Sequence, residues 1–199
     1  MTARTSARAL TEVRRDAANC ERCPLYAPAT QTVFGEGPAD ARAVLVGEQP
    51  GDREDRSGRP FVGPAGGILD RALTEAGLDR SSLYLTNAVK HFKHRQRGKA
   101  RIHQKPDRSE VAACRHWLDL ELVTIAPELV VALGATAAQD LLGPSFRVTK
   151  QRGEVLRPEG LPPVVATIHP SAVLRGDDRE ALFAGLVDDL RLVATFLDP

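Results

Sequence analysis

The sequence has 199 residues, of which 42% are hydrophobic and 27% are charged. These values are typical of a globular protein with one packed core, so we expect a single domain over residues 1–199 and a monomer. No apolar run is long enough to cross a bilayer, and the polar, basic segment 1–15 lacks the apolar stretch of a secretory signal. We therefore expect a cytoplasmic protein without a membrane partner.

Predicted strands alternate with predicted helices along the chain. The apolar patterns predict strands over 41–48, 82–89, 128–134 and 163–170. They predict helices over 7–18, 63–78, 108–126, 135–143 and 179–197, with Ser109 as an N-cap, and a hairpin or edge strand over 148–157. This alternation predicts an α/β fold, a single-domain three-layer α/β/α sandwich with a mainly parallel central sheet.

Three cysteines, Cys20, Cys23 and Cys114, are too few and odd in number for a disulfide framework. The Cys20-x-x-Cys23 pair has the spacing of metal ligands or of a redox motif. A thioredoxin-like motif needs a strand before it, whereas a helical pattern precedes this pair and Pro24 follows it. Metal binding is therefore the better interpretation.

Basic residues are concentrated in a predicted loop at about 91–108. Residues 90–108 hold eight Lys or Arg and one acid, although the net charge of the whole chain is only +1. Such a patch indicates a polyanion partner or a solvated loop. Within this patch, the stretch GKARIHQKP (98–106) contains one histidine, His103.

Polar motifs follow three of the predicted strands. GEQPGD follows the first strand, Asn87 ends the second and His169 ends the fourth. The carboxyl ends of parallel strands meet at one edge of a sheet, which is where ligands bind in such folds. The Gly- and Pro-rich stretch 47–73 is neither a Walker loop nor a dinucleotide fingerprint. We expect one site at this edge.

The stretch 47–73, LTNAVK (85–90) and HPS (169–171) resemble the motifs of iron–sulfur uracil-DNA glycosylases, called family 4. The resemblance covers nearly the whole chain and implies recognition of uracil in DNA, preferably single-stranded. It assigns Phe61 to stacking on the flipped uracil, Asn87 to its O4 and N3–H edge, and Glu54 to the place of a thymine methyl. His169 is assigned to uracil O2, and Gly47 to the same uracil site.

The same resemblance implies a [4Fe–4S] cluster, whose third family ligand is a cysteine four residues after the Asn. His91 stands there, so the implied ligand set is Cys20, Cys23, His91 and Cys114. Histidine can replace thiolate in iron–sulfur sites, and a Cys₃His zinc site fits the same residues. His94 is a weaker substitute ligand, and a lost cluster with a merely buried Cys114 is the remaining alternative.

The basic insertion, with GEQPG, NAVKH and RIH, resembles the UdgX branch, which becomes covalently linked to uracil-containing DNA. That likeness implies that His103 attacks C1′ of the sugar after uracil leaves. It assigns Glu48 to orienting or deprotonating His103, and Gln49 to holding a water or the loop. Contacts to DNA are expected from four residues: Lys99, Arg101, Lys105 and Ser171. Arg101 and Lys105 are also expected to hold the loop in place.

The expected activity is therefore uracil excision followed by a single-turnover covalent capture. Two alternatives are a conventional multiple-turnover glycosylase, in which the loop only clamps DNA, and a noncatalytic iron–sulfur module that binds damaged DNA.

Overall fold

The structure, a computed structural model, describes residues 3–198 and contains a five-stranded sheet. Its strands, in chain order, are β1 (Ala43–Gly47), β2 (Tyr84–Asn87), β5 (Leu129–Leu133), β6 (Val155–Leu156) and β7 (Val164–Thr167). Their spatial order is β2-β1-β5-β7-β6, and every pair is parallel except β6 with β7. The predicted α/β fold with a mainly parallel sheet is confirmed.

Helices cover both faces of this sheet, as the alternating pattern predicted. They are α1 (Ala3–Ala17), α2 (Asp52–Ser57), α3 (Pro64–Glu75), α4 (Arg108–Ile125), α5 (Ala135–Leu142), α6 (Val148–Gln151), α7 (Pro170–Arg175) and α8 (Arg179–Leu197). Short 3-10 helices lie at Pro24–Tyr26 and Arg80–Ser82.

The strands are apolar on both faces because each face meets its own helical layer. In β1, Val44 and Val46 join the cluster that packs under α4 and α5, whereas Ala43 and Leu45 join the cluster under α3 and α8. Side chains alternate across a strand, so a strand covered on both sides reads as one continuous apolar run. This is why the strand predictions succeeded.

The expected basic loop contains a second, two-stranded sheet. Strands β3 (His94–Arg97) and β4 (Ala100–His103) pair in antiparallel register, with His94 opposite His103. The turn between them begins at Gly98, whose φ of +59° suits the first central residue of a two-residue hairpin turn. The loop prediction is therefore wrong at this point, and the basic segment has a defined register.

Two local predictions also need correction. The N-cap of α4 is Asp107 rather than Ser109, because the Asp107 carboxylate accepts the N–H of Glu110 in a capping box. The segment 148–157 holds the short helix α6 before the edge strand β6, which is only two residues long.

Within residues 3–198, no helix is both long enough and apolar enough to cross a bilayer. After β1 the chain adds β2 on one side of it, and later adds β5 and β7 on the other side. The direction in which strands are added therefore reverses between β1 and β5. A crevice at such a reversal, beyond the carboxyl ends of the strands, is where open α/β sheets bind ligands.

Candidate active site at the strand ends

A cavity of about 620 Å³ lies at this reversal. Strand register brings Gly47 opposite Asn87 at one side of it, and β7 ends beside β5 at the other. Its wall includes six of the residues predicted from the sequence to act on uracil or the sugar: Glu48, Glu54, Phe61, Asn87, His103 and His169. Parallel pairing therefore brings together side chains that are far apart in the chain.

Gly47 permits the side chains of Phe61 and Asn87 to approach its backbone closely. A Cβ at position 47 would lie 2.4 Å from Asn87 Oδ1 and 2.7 Å from Phe61 Cζ, so any other residue would displace one of them. Phe61 itself has φ +55°, a left-handed conformation that is costly for an aromatic residue. Such strain is usually kept where surrounding contacts fix a functional side chain.

Glu54 holds together the loops that surround Phe61. Its Oε1 accepts the N–H of Gly63 at 2.7 Å and its Oε2 accepts the N–H of Gly51 at 3.1 Å. The side chain is buried and lines the cavity, and both oxygens are engaged with backbone. The structure thus gives Glu54 a clear role in shaping the wall of the site.

His169 is held as a neutral imidazole with a defined tautomer. Its Nδ1 accepts the backbone N–H of Ser171 at 3.1 Å and lies 2.7 Å from the Ser171 hydroxyl. Since Nδ1 accepts, the proton of the neutral ring is on Nε2. The pKa of His169 is lowered to about 4, chiefly by burial and in smaller part by the nearby Arg175 and His103. The ring can therefore donate an uncharged N–H hydrogen bond at neutral pH.

His103 faces Glu48 across the mouth of the cavity. Its Nε2 lies 3.5 Å from Glu48 Oε1, and the His103 side chain is 47% exposed. The other carboxylate oxygen of Glu48 accepts a short hydrogen bond from the hydroxyl of Thr136, at the start of α5. Thr136 therefore fixes the carboxylate that faces the imidazole.

The pKa of His103 is lowered from its usual value, chiefly by burial of the ring. Glu48 opposes this shift and Arg175 adds to it. A lowered pKa keeps the imidazole unprotonated at neutral pH, with a free lone pair on one ring nitrogen.

Arg101 anchors the β3–β4 hairpin to the body of the protein. Its guanidinium binds the carboxylates of Asp52 and Asp55 and lies 3.0 Å from Thr30 Oγ1, and its side chain is only 12% exposed. Side chains two residues apart in a strand share a face, so the same face of β4 carries Arg101 and His103. Arg101 is thus engaged with carboxylates instead of being free to bind phosphate.

Gln49 holds the base of the same hairpin. Its Nε2 donates to the carbonyls of Lys93 and Gln104, which flank the hairpin, and its Oε1 accepts the N–H of Lys93. Of the other basic residues expected to meet DNA, Lys105 lines the cavity, whereas Lys99 lies exposed in the hairpin turn.

The three cysteines are free and buried in one core cluster, beside α4. Cys20 Sγ accepts the indole N–H of Trp117 at 3.1 Å, and Cys114 Sγ accepts the backbone N–H of Lys90 at 3.2 Å. Burial raises the pKa of Cys114 to about 11, with a smaller contribution from the other two thiols. These thiols are thus near enough to influence one another's charge.

His91 is buried beside Thr32, whose hydroxyl lies 2.9 Å from Nε2. Its Nδ1 is buried without any hydrogen-bond partner, which is rare for an imidazole nitrogen. Within residues 3–198 no three His, Cys, Asp or Glu side chains converge on one point as a single metal ion requires. The donor chemistry nevertheless fits an iron–sulfur group, because the three thiols share one buried cluster, two of them accept N–H hydrogen bonds, and His91 has a buried nitrogen without a partner.

Several residues of the site escaped the sequence analysis. Asp52, Asp55 and Thr136 have no motif of their own, and their importance comes only from contacts with Arg101 and Glu48. The capping sequence of α2, with acids in its first turn, was the one signal available for the two aspartates.

The uracil DNA glycosylase superfamily profile matches residues 34–191. The chain belongs to the uracil DNA glycosylase superfamily. Among its relatives is the type-4 uracil-DNA glycosylase of Thermotoga maritima, which is 39% identical over 179 residues, covering 89% of each chain.

Two further relatives come from Pyrobaculum aerophilum. Its type-4 uracil-DNA glycosylase is 35% identical over 193 residues, covering 91% of this chain and 93% of the relative. Its type-5 uracil-DNA glycosylase is 29% identical over 187 residues, covering 77% and 78% respectively.

Proposed function

We propose that this protein excises uracil from DNA and then binds the resulting sugar covalently through His103. Its membership of the superfamily and its type-4 relatives support the excision step. Single-stranded DNA is the preferred substrate, because a base in a single strand is flipped without the cost of unpairing.

In the proposed excision, Phe61 stacks on the flipped uracil and Asn87 reads its O4 and N3–H edge. The C1′–N1 bond breaks and its electron pair goes to uracil, so negative charge develops on the base. The Nε2–H of His169 donates to uracil O2, where it stabilises that charge in the transition state. A neutral histidine suits this role, and burial keeps the pKa of His169 at about 4.

In the proposed capture, the ring nitrogen of His103 that carries the lone pair forms a bond to the electron-deficient C1′. The proton on the other ring nitrogen leaves to Glu48, so the alkylated imidazole ends neutral. A nucleophile already held beside the sugar has a large advantage over water, which must diffuse in. The adduct has no built-in route of release, which makes the protein single-turnover.

One observation carries the capture proposal: His103 Nε2 lies 3.5 Å from Glu48 Oε1 at the mouth of the same cavity that holds Asn87 and His169. A basic hairpin that served only to clamp DNA would need no such pairing. A conventional multiple-turnover glycosylase is the second candidate function, and the names of the type-4 relatives favour it.

A denaturing gel separates the two functions. The protein is incubated with a uracil-containing oligonucleotide, heated in detergent and resolved by size. Capture predicts a stable protein–DNA band with at most one uracil released per protein, and His103→Ala should remove the band while still releasing uracil. Release of many equivalents of uracil without a band would establish the conventional function instead, and release of none would refute excision.

We also propose that Cys20, Cys23, His91 and Cys114 hold a [4Fe–4S] cluster, with zinc as the alternative for the same ligands. The buried, unpartnered Nδ1 of His91 and the burial of all three thiols support this set. Bound there, the cluster would tie the segment after α1 to α4 and to the turn after β2.

Visible absorbance and metal analysis of the purified protein test this proposal. We expect a coloured protein containing iron, and His91→Cys should keep the colour because it restores four thiolates, whereas His91→Ala should lose it. A colourless protein with stoichiometric zinc would select the alternative.

A further inference from the structure

A fully buried ion pair lies beneath the uracil-reading residue. Lys90 Nζ is 2.5 Å from Glu121 Oε2, and both side chains are 0% exposed. The Glu121 carboxylate also accepts hydrogen bonds from three other donors: Tyr84 Oη, the Thr86 hydroxyl and the backbone N–H of Gly35. Every part of the carboxylate is thus engaged.

The ammonium of Lys90 is equally well satisfied. It has three donors, and its three partners are Glu121, Thr86 Oγ1 at 2.7 Å and the backbone carbonyl of Asn87 at 2.8 Å. The last two partners belong to the end of β2, four and three residues before Lys90 itself. The Lys90 side chain therefore turns back and binds the end of the strand that precedes it.

Stability alone does not account for this pair. Burying two charges costs several kcal/mol of desolvation, and apolar side chains of similar volume often replace such pairs without loss of stability. What an apolar side chain cannot provide is a donor for the carbonyl of Asn87. That carbonyl belongs to the residue whose side chain lies in the cavity with Phe61.

We propose that Lys90, held by Glu121, is a positioning residue that fixes the backbone of Asn87 and thereby aims its amide at the uracil edge. The Asn87 amide has little room to move, because its Oδ1 lies close to Gly47 and would be only 2.4 Å from a Cβ at that position. This inference rests on the proposed reading of uracil by Asn87 and is independent of the capture by His103.

Two double variants test the inference. Lys90→Met with Glu121→Leu removes both charges and the donor to Asn87, whereas Lys90→Gln with Glu121→Gln removes both charges but keeps an amide donor. We expect the first to slow single-turnover uracil excision by roughly tenfold to a hundredfold, and the second to remain within about threefold of the wild type. Binding to DNA that carries a stable abasic-site analogue should stay unchanged in both.

A third double variant controls for the loss of a buried ion pair in general. Arg152→Met with Asp189→Leu removes a part-buried pair between the segment before β6 and α8, remote from the cavity, and should leave excision unchanged. Melting temperature and metal content are measured for all three variants, so that a fall in excision can be separated from misfolding or from loss of a metal group.

Wild-type excision by the Met/Leu variant would overturn the inference, and so would an equal loss in both Lys90–Glu121 variants at normal stability. If neither folds, Thr86→Val supplies the test, because it removes the hydroxyl that contacts both Lys90 and Glu121 while leaving the ion pair itself. Excision should then fall about threefold and recover in Thr86→Ser, and an unchanged rate would overturn the inference. Asn87→Ala tests the proposed function separately: normal excision there would refute the reading role of Asn87.

Discussion

The cavity at the strand ends and the β3–β4 hairpin differ in burial and in how they are attached to the core. The cavity is lined by Asn87, which ends the buried strand β2 and is 3% exposed, and by Phe61 between α2 and α3, which is 6% exposed. The hairpin is exposed from Arg95 to Ala100 and is fastened to the body through Arg101 and the Gln49 amide. If the cavity excises uracil and the hairpin captures the sugar, as proposed, the two steps should be separable by mutation.

The largest expected effect comes from Asn87→Ala, which acts on the pocket. Capture requires prior departure of uracil, so both uracil release and adduct formation should fall by about a hundredfold. His94→Ala, on the hairpin opposite His103, is the matched control and should leave uracil release intact. The rates of uracil release and of adduct formation are measured in single-turnover experiments, the second by gel shift. Adduct formation by Asn87→Ala at the normal rate would show that capture does not depend on the cavity.

Arg101→Met should affect the hairpin and leave the cavity unchanged. Without the contacts to Asp52 and Asp55, His103 is no longer held in place, so adduct formation should slow roughly tenfold while uracil release is retained. Arg97→Met removes an exposed arginine of the same hairpin and is the control. Equal rates of capture in the two variants would show that Arg101 is not the anchor.

A smaller effect is expected from Thr136→Val, which removes the hydroxyl that holds Glu48 but nearly preserves the shape of the side chain. Loss of one hydrogen bond to a carboxylate should slow adduct formation by about fivefold, equivalent to about 1 kcal/mol. Thr136→Ser should restore the rate. If Thr136→Val captures DNA as fast as the wild type, Glu48 is oriented by other contacts.

The smallest effect concerns pH. Protonation removes the lone pair of His103, so capture must weaken as the pH falls through the pKa of His103 in the folded protein. An unperturbed histidine with a pKa of about 6.5 would lose half its capture rate at pH 6.5. Since burial lowers the pKa of His103, the loss between pH 7.5 and 6.5 should be less than about twofold.

Uracil release by His103→Ala over the same pH range corrects for any change in excision. Excision itself should stay level through this range, because the pKa of His169 lies at about 4. A capture midpoint above pH 6.5 would contradict the lowered pKa of His103.

The fold was predictable because its strands are covered on both sides and its helices have clear ends. The pattern for 179–197 matches α8, and that for 108–126 matches α4 to within one residue. The hairpin was missed because HRQRGKARIH carries charges on both faces and lacks an apolar alternation. Gly98 between two basic runs was the turn signal that could have indicated it.

Site residues that belong to a motif could be predicted from the sequence. Residues whose importance comes only from tertiary contacts could not. Asn87, Phe61 and His169 follow strand ends or lie in a family-like motif, and the cavity brings them together. Arg101 was expected to hold the loop as well as phosphates, but the sequence did not indicate which residues it would bind. Its binding to Asp55, 46 positions earlier in the chain, exists only in three dimensions.

The pairing of the hairpin limits how this protein can change during evolution. Residues may be added or lost at the Gly98–Lys99 turn, since that end is exposed and the strands can lengthen in step. One residue gained or lost between Arg101 and Gln104 would instead turn His103 to the opposite face of β4, away from Glu48. In homologous hairpins of different lengths, the histidine should therefore lie two positions after the anchoring arginine, and the residue equivalent to Gln104 should lie three positions after it.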